Sequence, residues 1–244
     1  MIRNVLSIAG SDPSGGAGIQ ADLKAFAANG VYGMAALTAL TAQNTQGVRA
    51  AETVAPDFVR AQIAAVFADI RVDAVKIGMI ATGPVAEAVA DALAGCEAPI
   101  VLDPVMVAKG GAPLLASEAV ASLRERLLPL ATVITPNLPE AAALLGTGAA
   151  PDRAMMAEQA AALRRLGPRA VLLKGGHLDG AQSPDVLADA DGATWLDGPR
   201  TPTRNTHGTG CTLSAALATQ LAHGRSLPDA ARAAKAYVAG AIAA

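Results

Sequence analysis

The chain has 244 residues, of which 52% are apolar and 16% are charged, and its formal net charge is −2 at pH 7. A chain of this length can bury the core of one domain, so we expect a single domain over residues 1–244. The slightly acidic charge and the 2% aromatic content argue against the basic surface and stacking side chains of nucleic-acid-binding proteins.

Short apolar runs alternate with longer alanine-rich segments along the chain. The runs predict strands at 4–10, 74–79, 99–105, 131–137 and 170–176. The other segments predict helices at 17–29, 57–69, 83–94, 117–127, 152–166, 210–222 and 228–243. Strands that are apolar throughout are covered on both faces in parallel sheets. We therefore expect an α/β fold with a doubly wound sheet.

Two segments interrupt this alternation. Residues 31–48 predict a strand followed by a turn. Residues 184–200 contain an Asp-Gly pair between two short runs, which is typical of a β-hairpin. No linker or internal repeat separates these elements, which again favours one domain.

The two cysteines, Cys96 and Cys211, are too few for a disulfide framework, and neither lies in a CxxC or metal-binding spacing. The apolar stretch at the start is too short for a signal peptide. No uninterrupted run reaches the roughly 18 apolar residues of a membrane span. We expect a cytoplasmic protein that neither crosses a membrane nor binds one.

The ends of the predicted strands carry the residues expected to form a site, because ligands bind beyond the carboxyl ends of strands in open parallel sheets. Acids, a lysine and glycine-rich turns are found there: Asp12, Gly78, Met79, Asp103, Asn137, Glu140, Lys174 and the turn 206–211. These residue types bind phosphate and magnesium in phosphoryl-transfer enzymes.

The first strand end leads into a glycine-rich loop. In "AGSDPSGGAGIQADLKA" (9–25), glycines precede a helix whose unpaired N–H groups could face an anion. The loop has neither the Gly-Lys-Ser/Thr of a P-loop nor the GxGxxG spacing of dinucleotide-binding proteins, so a dinucleotide-dependent oxidoreductase is disfavoured. The alternative is a tight turn in which Ser14 or Asp12 caps the helix.

The polar strand ends also allow two interpretations each. Asp103 can hold a hydrated Mg²⁺, or it can begin an Asp-Pro turn. Asn137 and Glu140 can face one cation, or they can cap a helix as its N-cap and N3 residues. Lys174 can neutralise phosphate charge, or it can be an exposed lysine at a strand end.

The turn "NTHGTGCTLS" (205–214) opens an alanine-rich helix. Gly208 and Gly210 would let backbone N–H groups converge at the helix N-terminus and form an anion hole. Cys211 would lie in the first turn, where the helix dipole lowers the pKa of a thiol. The alternative is a cysteine that only fills space in the helix packing, which is also how we interpret Cys96.

Taken together and in order, several segments resemble the hydroxymethylpyrimidine/phosphomethylpyrimidine kinases of thiamine biosynthesis, in the ribokinase-like superfamily. They are residues 8–26, 30–48, 76–80, 102–111, 135–141, 172–177 and 205–218. The resemblance spans nearly the whole chain and implies a three-layer sandwich with a mostly parallel central sheet, assembled as a homodimer. It also implies two MgATP-dependent phosphorylations of 4-amino-5-hydroxymethyl-2-methylpyrimidine, first to the monophosphate and then to the diphosphate.

The resemblance implies roles for single residues as well. Those at the pyrimidine would be Gln43, Asp22, Gly10, Met79 and Val107. Those at magnesium would be Asp103, Glu140 and Asn137, and those at the ATP phosphates Lys174 and Thr209. Those of the catalytic anion hole would be Gly208, Gly210 and Cys211. Gln43 can both donate to and accept from an aminopyrimidine, and Asp22 can accept from its exocyclic amine.

Many sugar kinases of the superfamily have an aspartate base where this chain has Cys211. A thiolate at Cys211 could accept the proton of the alcohol in the first reaction. We therefore expect Cys211→Ala to slow phosphorylation of the alcohol much more than that of the monophosphate, whose oxygens are already ionised. Two further expectations concern segments. Residues 109–113 have the glycines of a mobile lid, and a glycine-rich stretch that usually follows "AYVAGAIAA" in the family is absent from this sequence.

Two other functions remain open at this point. Pyridoxal/pyridoxine kinases belong to the same superfamily and also phosphorylate a hydroxymethyl heteroaromatic compound. A non-catalytic pyrimidine-binding module could keep the same fold. The joint presence of Lys174, Asp103, Glu140 and the Gly-Thr-Gly-Cys turn favours a kinase, because binding alone needs no phosphate-binding residues.

Overall fold

The computed structural model describes residues 1–106, 119–203 and 205–243. Two predictions lie outside the described residues: Val107 as a pyrimidine contact and the lid at 109–113. The strands are β1 (Asn4–Ser11), β2 (Tyr32–Asn44), β3 (Gly47–Thr53), β4 (Ala74–Ile77), β5 (Ile100–Leu102), β6 (Val133–Ile134), β7 (Ala170–Lys174), β8 (Asp185–Asp189) and β9 (Gly192–Leu196).

The described strands form one sheet in the order β3-β2-β1-β4-β5-β6-β7-β8-β9. Neighbours from β2 to β7 are parallel. The edge pairs β2–β3, β7–β8 and β8–β9 are antiparallel. Since β1 lies between β2 and β4, the direction in which strands are added reverses there. Such a switch point creates a crevice at the carboxyl ends of the neighbouring strands β1 and β4.

Helices cover both faces of this sheet. They are α1 (Gly18–Ala28), α2 (Pro56–Asp69), α3 (Gly83–Ala92), α4 (Ala119–Ser122), α5 (Leu138–Leu145), α6 (Arg153–Arg164), α7 (Thr209–Ala222) and α8 (Leu227–Ala243). None of the helices in the described part of the chain combines the length and apolar character that a membrane span requires.

Side-chain alternation along the strands divides the core into two layers. Leu6 and Val75 pack in the layer formed with α2 to α6. Their neighbours Val5 and Ala74 pack in the layer formed with α1, α7 and α8. Because both faces of the central strands are buried, these strands are apolar throughout. The predicted three-layer α/β sandwich is thus confirmed.

The structure also corrects two predicted segments. Residues 31–48 contribute not one strand and a turn but two antiparallel strands, since β3 folds back along β2. The helix predicted over 117–127 is wrong as a regular α-helix. Among its described residues only α4 is α-helical, and a π turn over 123–127 and a 3-10 turn over 128–130 follow. Pro129 explains the irregularity, because proline lacks an N–H and disfavours a helical residue before it.

The hairpin predicted within 184–200 is confirmed. Strands β8 and β9 pair in antiparallel fashion, with Asp189 opposite Gly192. Gly192 has φ 123°, a conformation that favours glycine. The Asp-Gly signal therefore reported a real requirement of the backbone.

Candidate active site

A cavity of about 1200 Å³ opens beyond the carboxyl ends of the parallel strands. Its wall includes Asp12 after β1, Asp103 after β5, Asn137 after β6 and Lys174 at the end of β7. The first turn of α7 closes the wall on one side. The fold thus brings residues from Gly10 to Ile242 of the chain to one place, at the crevice expected for the switch point of the sheet.

Most of the site residues proposed from the sequence line this cavity. They are Gly10, Gln43, Met79, Asp103, Asn137, Glu140, Lys174, Gly208, Thr209, Gly210 and Cys211. Asp22 does not line it, because its side chain is fully buried below the cavity wall against Lys76 and Ser7.

Asp103, Lys174 and Gly210 lie together in the cavity wall. Lys174 Nζ donates to Asp103 Oδ1 at 3.1 Å, and a Cβ placed on Gly210 would lie 3.5 Å from both Lys174 Nζ and Asp103 Oδ2. Burial opposes the charged form of Lys174, but the carboxylates of Asp103 and Glu140 outweigh it and raise the pKa of the lysine. The lysine is therefore a permanent positive charge beside the glycine turn.

Asn137 and Glu140 form a capping box at the start of α5. Asn137 Oδ1 accepts from Glu140 N at 2.9 Å, and Glu140 Oε2 accepts from Asn137 N at 2.8 Å. The capping interpretation of these two residues is therefore realised in the structure. Burial raises the pKa of Glu140 to about 7, even though Lys174 nearby favours the ionised form. A carboxyl group of this kind can ionise fully once a cation comes close.

The glycine turn before α7 presents backbone donors to the cavity. Gly208 has φ 77°, in the left-handed region, and a Cβ there would overlap the carbonyl oxygen of Gly16. Thr212 N is paired with Gly208 O at 2.9 Å. Among the described residues, no acceptor is found for the N–H groups of Gly210 and Cys211. These two groups can receive an anion.

The pKa of the Cys211 thiol is shifted in the opposite direction to the prediction. Burial raises its pKa to about 11, although the charge of Lys76 and the N–H of Gly18 favour the thiolate. The expectation that the helix dipole would lower this pKa is wrong, because the loss of hydration around the sulfur outweighs the dipole. At neutral pH Cys211 is a thiol, which makes it a poor base.

Asp22 and Lys76 form a buried ion pair under the wall. Lys76 Nζ lies 2.8 Å from Asp22 Oδ2, and both side chains are 0% exposed. Ser7 Oγ donates to the same oxygen at 2.6 Å. Burial opposes the charged form of Lys76, but Asp22 outweighs it and raises the pKa of the lysine. Lys76 is part of the cavity wall but its side chain is buried, so this lysine separates Asp22 from the cavity.

Part of the cavity wall has groups suited to a small heteroaromatic ring. Thr41 Oγ1 lies 2.7 Å from Ser11 O and 3.2 Å from Gln43 Oε1. Met79 lies against Gly10, where a Cβ would come within 3.0 Å of the methionine sulfur. The amide of Gln43 and the thioether of Met79 thus offer hydrogen bonding beside flat apolar contact.

Three residues of the site were missed in the sequence. Lys76 stood out as a lysine inside an apolar strand, and this signal could have found it. His207 is paired with Asp12 at 2.8 Å, across 195 positions. Arg200 donates to the carbonyl oxygens of residues 176, 178, 180 and 182 and holds that loop at the cavity wall. His207 lies in the turn 206–211 that the sequence marked as part of the site, although no role was predicted for it, and Arg200 has no local sequence signal.

Comparison with known proteins agrees with this geometry. The family model described as phosphomethylpyrimidine kinase matches residues 12–244. The hydroxymethylpyrimidine/phosphomethylpyrimidine kinase of Escherichia coli is 53% identical over 241 residues, covering 98% of this chain and 91% of that protein. The crystal structure of phosphomethylpyrimidine kinase from Clostridium difficile matches with a TM-score of 0.87 and 42% identity, over 98% of this chain and 99% of that one. The pyridoxal kinase from Staphylococcus aureus in complex with AMP-PCP and pyridoxal matches with a TM-score of 0.90 and 35% identity, over 98% and 87%.

Proposed function

The chain belongs to the phosphomethylpyrimidine kinase family, and we infer that it is a hydroxymethylpyrimidine/phosphomethylpyrimidine kinase of thiamine biosynthesis with the ribokinase-like fold its motifs implied. We propose that it transfers two phosphoryl groups from ATP in succession. The first goes to the hydroxymethyl oxygen of 4-amino-5-hydroxymethyl-2-methylpyrimidine. The second goes to the phosphate of that product.

One observation carries this proposal. Lys174, Asp103 and the glycine turn at Gly210 meet within contact distance, in the same cavity that holds Gln43 and Met79. One part of the cavity therefore suits phosphate groups, and the other suits a ring with hydrogen-bonding edges. An acceptor ring bound at Gln43 would point its substituent toward the phosphate part.

In this mechanism the protein positions the reactants and neutralises charge. A loose phosphoryl-transfer transition state spreads negative charge over the transferred oxygens. Lys174 supplies a positive charge there. The glycine turn, which includes Thr209, supplies the N–H groups of Gly210 and Cys211 as donors at the cavity wall. The alcohol can keep its proton until the new O–P bond forms, after which a phosphate oxygen or water takes the proton, so no strong base is needed.

We propose that Cys211 shapes the turn and does not remove a proton. Its pKa of about 11 leaves the sulfur protonated at neutral pH. The second acceptor is a phosphate that is already ionised near neutral pH and needs no base. Both steps therefore use the same anion hole, which explains how one site can phosphorylate an alcohol and then a phosphate.

The residues present fit a magnesium ion. Within the described part of the chain, no group of three or more His, Cys, Asp or Glu side chains could form a protein cage for a metal. Magnesium in kinases instead uses one or two carboxylates together with waters and substrate phosphates. Asp103 and Glu140 would hold the magnesium ion, with Asn137 beside them. Of these two carboxylates, Asp103 is the one that pairs with Lys174. The ion would neutralise charge on the ATP phosphates.

The decisive test is incubation with the hydroxymethylpyrimidine and MgATP, followed by mass detection of the monophosphate and diphosphate. Lys174→Met should lower kcat by on the order of 10²-fold or more. Arg126→Met is the matched control, because Arg126 is half exposed on the surface and paired with Asp91 at 2.7 Å. Absence of ADP formation despite pyrimidine binding in calorimetry would instead indicate a non-catalytic module.

Pyridoxal phosphorylation is the alternative activity, favoured by the likeness to a pyridoxal kinase structure of TM-score 0.90. A competition assay that compares kcat/KM for the two alcohols separates the two functions. We expect the pyrimidine to be preferred. A preference for pyridoxal would contradict the proposal while leaving the phosphate part of the site unchanged.

The homodimer and the cytoplasmic location stay predictions. Exposed apolar side chains on and near the β2–β3 edge, among them Tyr32, Leu40 and Phe58, are compatible with a subunit contact. Sedimentation equilibrium would measure the assembly, and a monomer at micromolar concentration would contradict the dimer.

A further inference from the structure

Asp12 and His207 join two loops that are 195 positions apart in the chain. Asp12 follows β1 and is only 1% exposed. Its Oδ1 accepts from Ser14 N at 2.9 Å and Ser14 Oγ at 2.7 Å. Its Oδ2 accepts from Ala17 N at 2.8 Å and lies 2.8 Å from His207 Nε2. The carboxylate therefore organises its own loop and holds the histidine as well.

The proton on this contact belongs to His207. Burial opposes ionisation of Asp12, but the hydrogen bonds from Ser14 and His207 outweigh it and lower the pKa of the carboxyl group. An ionised carboxylate can only accept, so Nε2 must donate. This directional bond connects the 12–17 loop to the residue immediately before the glycine turn.

Glycines make the two loops fit closely at this bond. A Cβ on Gly16 would overlap the ring of His207, and a Cβ on Gly208 would overlap the carbonyl oxygen of Gly16. The imidazole therefore lies directly on the 12–17 loop. A shift of this ring would displace the backbone of residue 207 and, with it, the left-handed Gly208 that starts α7.

The N–H groups of Gly210 and Cys211 lie two and three residues beyond Gly208. The N-cap residue of α7 is Gly208, so no N-cap side chain orients these donors. We propose that His207, held by Asp12, is a positioning residue for phosphoryl transfer: it sets the orientation of the anion-hole donors without touching the reacting atoms. The proposal rests on the proposed function and extends it to a residue pair outside the phosphate-binding groups.

The first test separates positioning from binding. His207→Ala should lower kcat by on the order of 10²-fold, the effect of misplacing catalytic donors by about 1 Å. The KM for the pyrimidine alcohol should change by less than about threefold, because the proposed ring contacts Gln43 and Met79 lie on β2 and after β4, outside the two loops that this bond joins. His207→Gln keeps an N–H donor at similar reach and should recover most of the lost kcat. A glutamine variant as slow as the alanine variant would overturn the proposal.

The second test measures the coupling of the two residues. If Asp12 acts on catalysis through His207, the kcat of Asp12→Ala/His207→Ala should be no lower than that of Asp12→Ala. If the kcat losses of the two single variants multiply in the double variant, the proposed action of Asp12 through His207 is overturned. Loss of one limb of the pH–rate profile in His207→Gln, with the limb retained in wild type, would show a proton-transfer role and would also overturn it.

A third measurement does not depend on activity. Amide hydrogen exchange of residues 206–212 should accelerate in His207→Ala and return toward the wild-type rate in His207→Gln. Trp195, the chain's single tryptophan, lines the cavity, so its fluorescence during ADP titration checks that the variants still fold and bind. Unchanged exchange in His207→Ala would overturn the proposal. If the wild type were inactive on the pyrimidine while exchange behaved as expected, the proposed function would fail, but the role of His207 in positioning the turn would stand.

Discussion

Replacing Lys76 by methionine should destabilise the protein far more than removing a surface lysine or arginine. Lys76 and Asp22 are 2.8 Å apart and both are 0% exposed. Without Lys76, the carboxylate of Asp22 would lie in the core with Ser7 as its remaining donor. Breaking one side of a buried ion pair costs about 3–5 kcal/mol, because the remaining charge has lost its hydration and its partner. We expect Lys76→Met to fall in this range at pH 8.

The pH dependence of this loss has a definite sign. Burial already raises the pKa of Asp22 in the wild type, and removing Lys76 raises it further. An acid whose pKa is higher in the folded state contributes stability at low pH, which is lost as pH rises through the folded-state pKa. Lys76→Met should therefore be less destabilised at pH 5 than at pH 8.

Urea unfolding at both pH values measures these differences from the midpoint, provided that the m-value is unchanged. The double variant Asp22→Leu/Lys76→Met should recover a large part of the loss, since it removes both charges. Arg126→Met breaks an exposed pair of 2.7 Å and should cost less than about 1 kcal/mol. A loss in Lys76→Met no larger than this control, or a double variant as unstable as the summed single variants, would refute the reasoning.

Outcomes are also expected for four further variants. Gly210→Ala should lower kcat by on the order of 10²-fold without loss of folding. Its Cβ would be in ordinary contact, at 3.5 Å, with Lys174 Nζ and Asp103 Oδ2, and would fill part of the space proposed for the transferred phosphoryl group. Gly240→Ala, in open space on α8, should leave kcat unchanged and stabilise the fold by about 0.5–1 kcal/mol. Glu140→Gln keeps a side chain able to complete the capping box. The pKa of Glu140 is raised from 4.5 to about 7, so the folded protein should become less stable as pH rises through this range. Thermal unfolding of the ligand-free wild type should show a loss of up to about 3 kcal/mol in the free energy of unfolding between pH 4.5 and 8, and a smaller loss in the variant. Cys211→Ala should lower the rates of the two phosphorylation steps by factors that differ by less than about threefold, because the thiol, with a pKa of about 11, is protonated at pH 7. Steady-state assays with each acceptor measure this, and a rate loss confined to the alcohol would show that Cys211 is a base.

The sequence and the structure agree most closely where a local rule has a local cause. The Asp191-Gly192 turn predicted the β8–β9 hairpin, because its backbone requires a conformation open to glycine. Asn137 and Glu140 carried the spacing of a capping box, and the box is formed. The prediction of a helix over 117–127 was wrong, because Pro129, just beyond its end, disturbs the helical hydrogen bonding of the segment before it.

The amino-acid sequence by itself determined the alternation of strands and helices, the sheet that is buried on both faces, and the strand ends that carry phosphate-binding residues. These depend on periodicity, turn residues and polarity, which act over a few positions. Only the tertiary structure decided that Asp22 lies behind Lys76, that Asp12 holds His207, and that burial keeps the thiol of Cys211 protonated. Ion pairing and desolvation depend on neighbours brought together from distant strands and helices, and the order of residues along the chain does not record those distances.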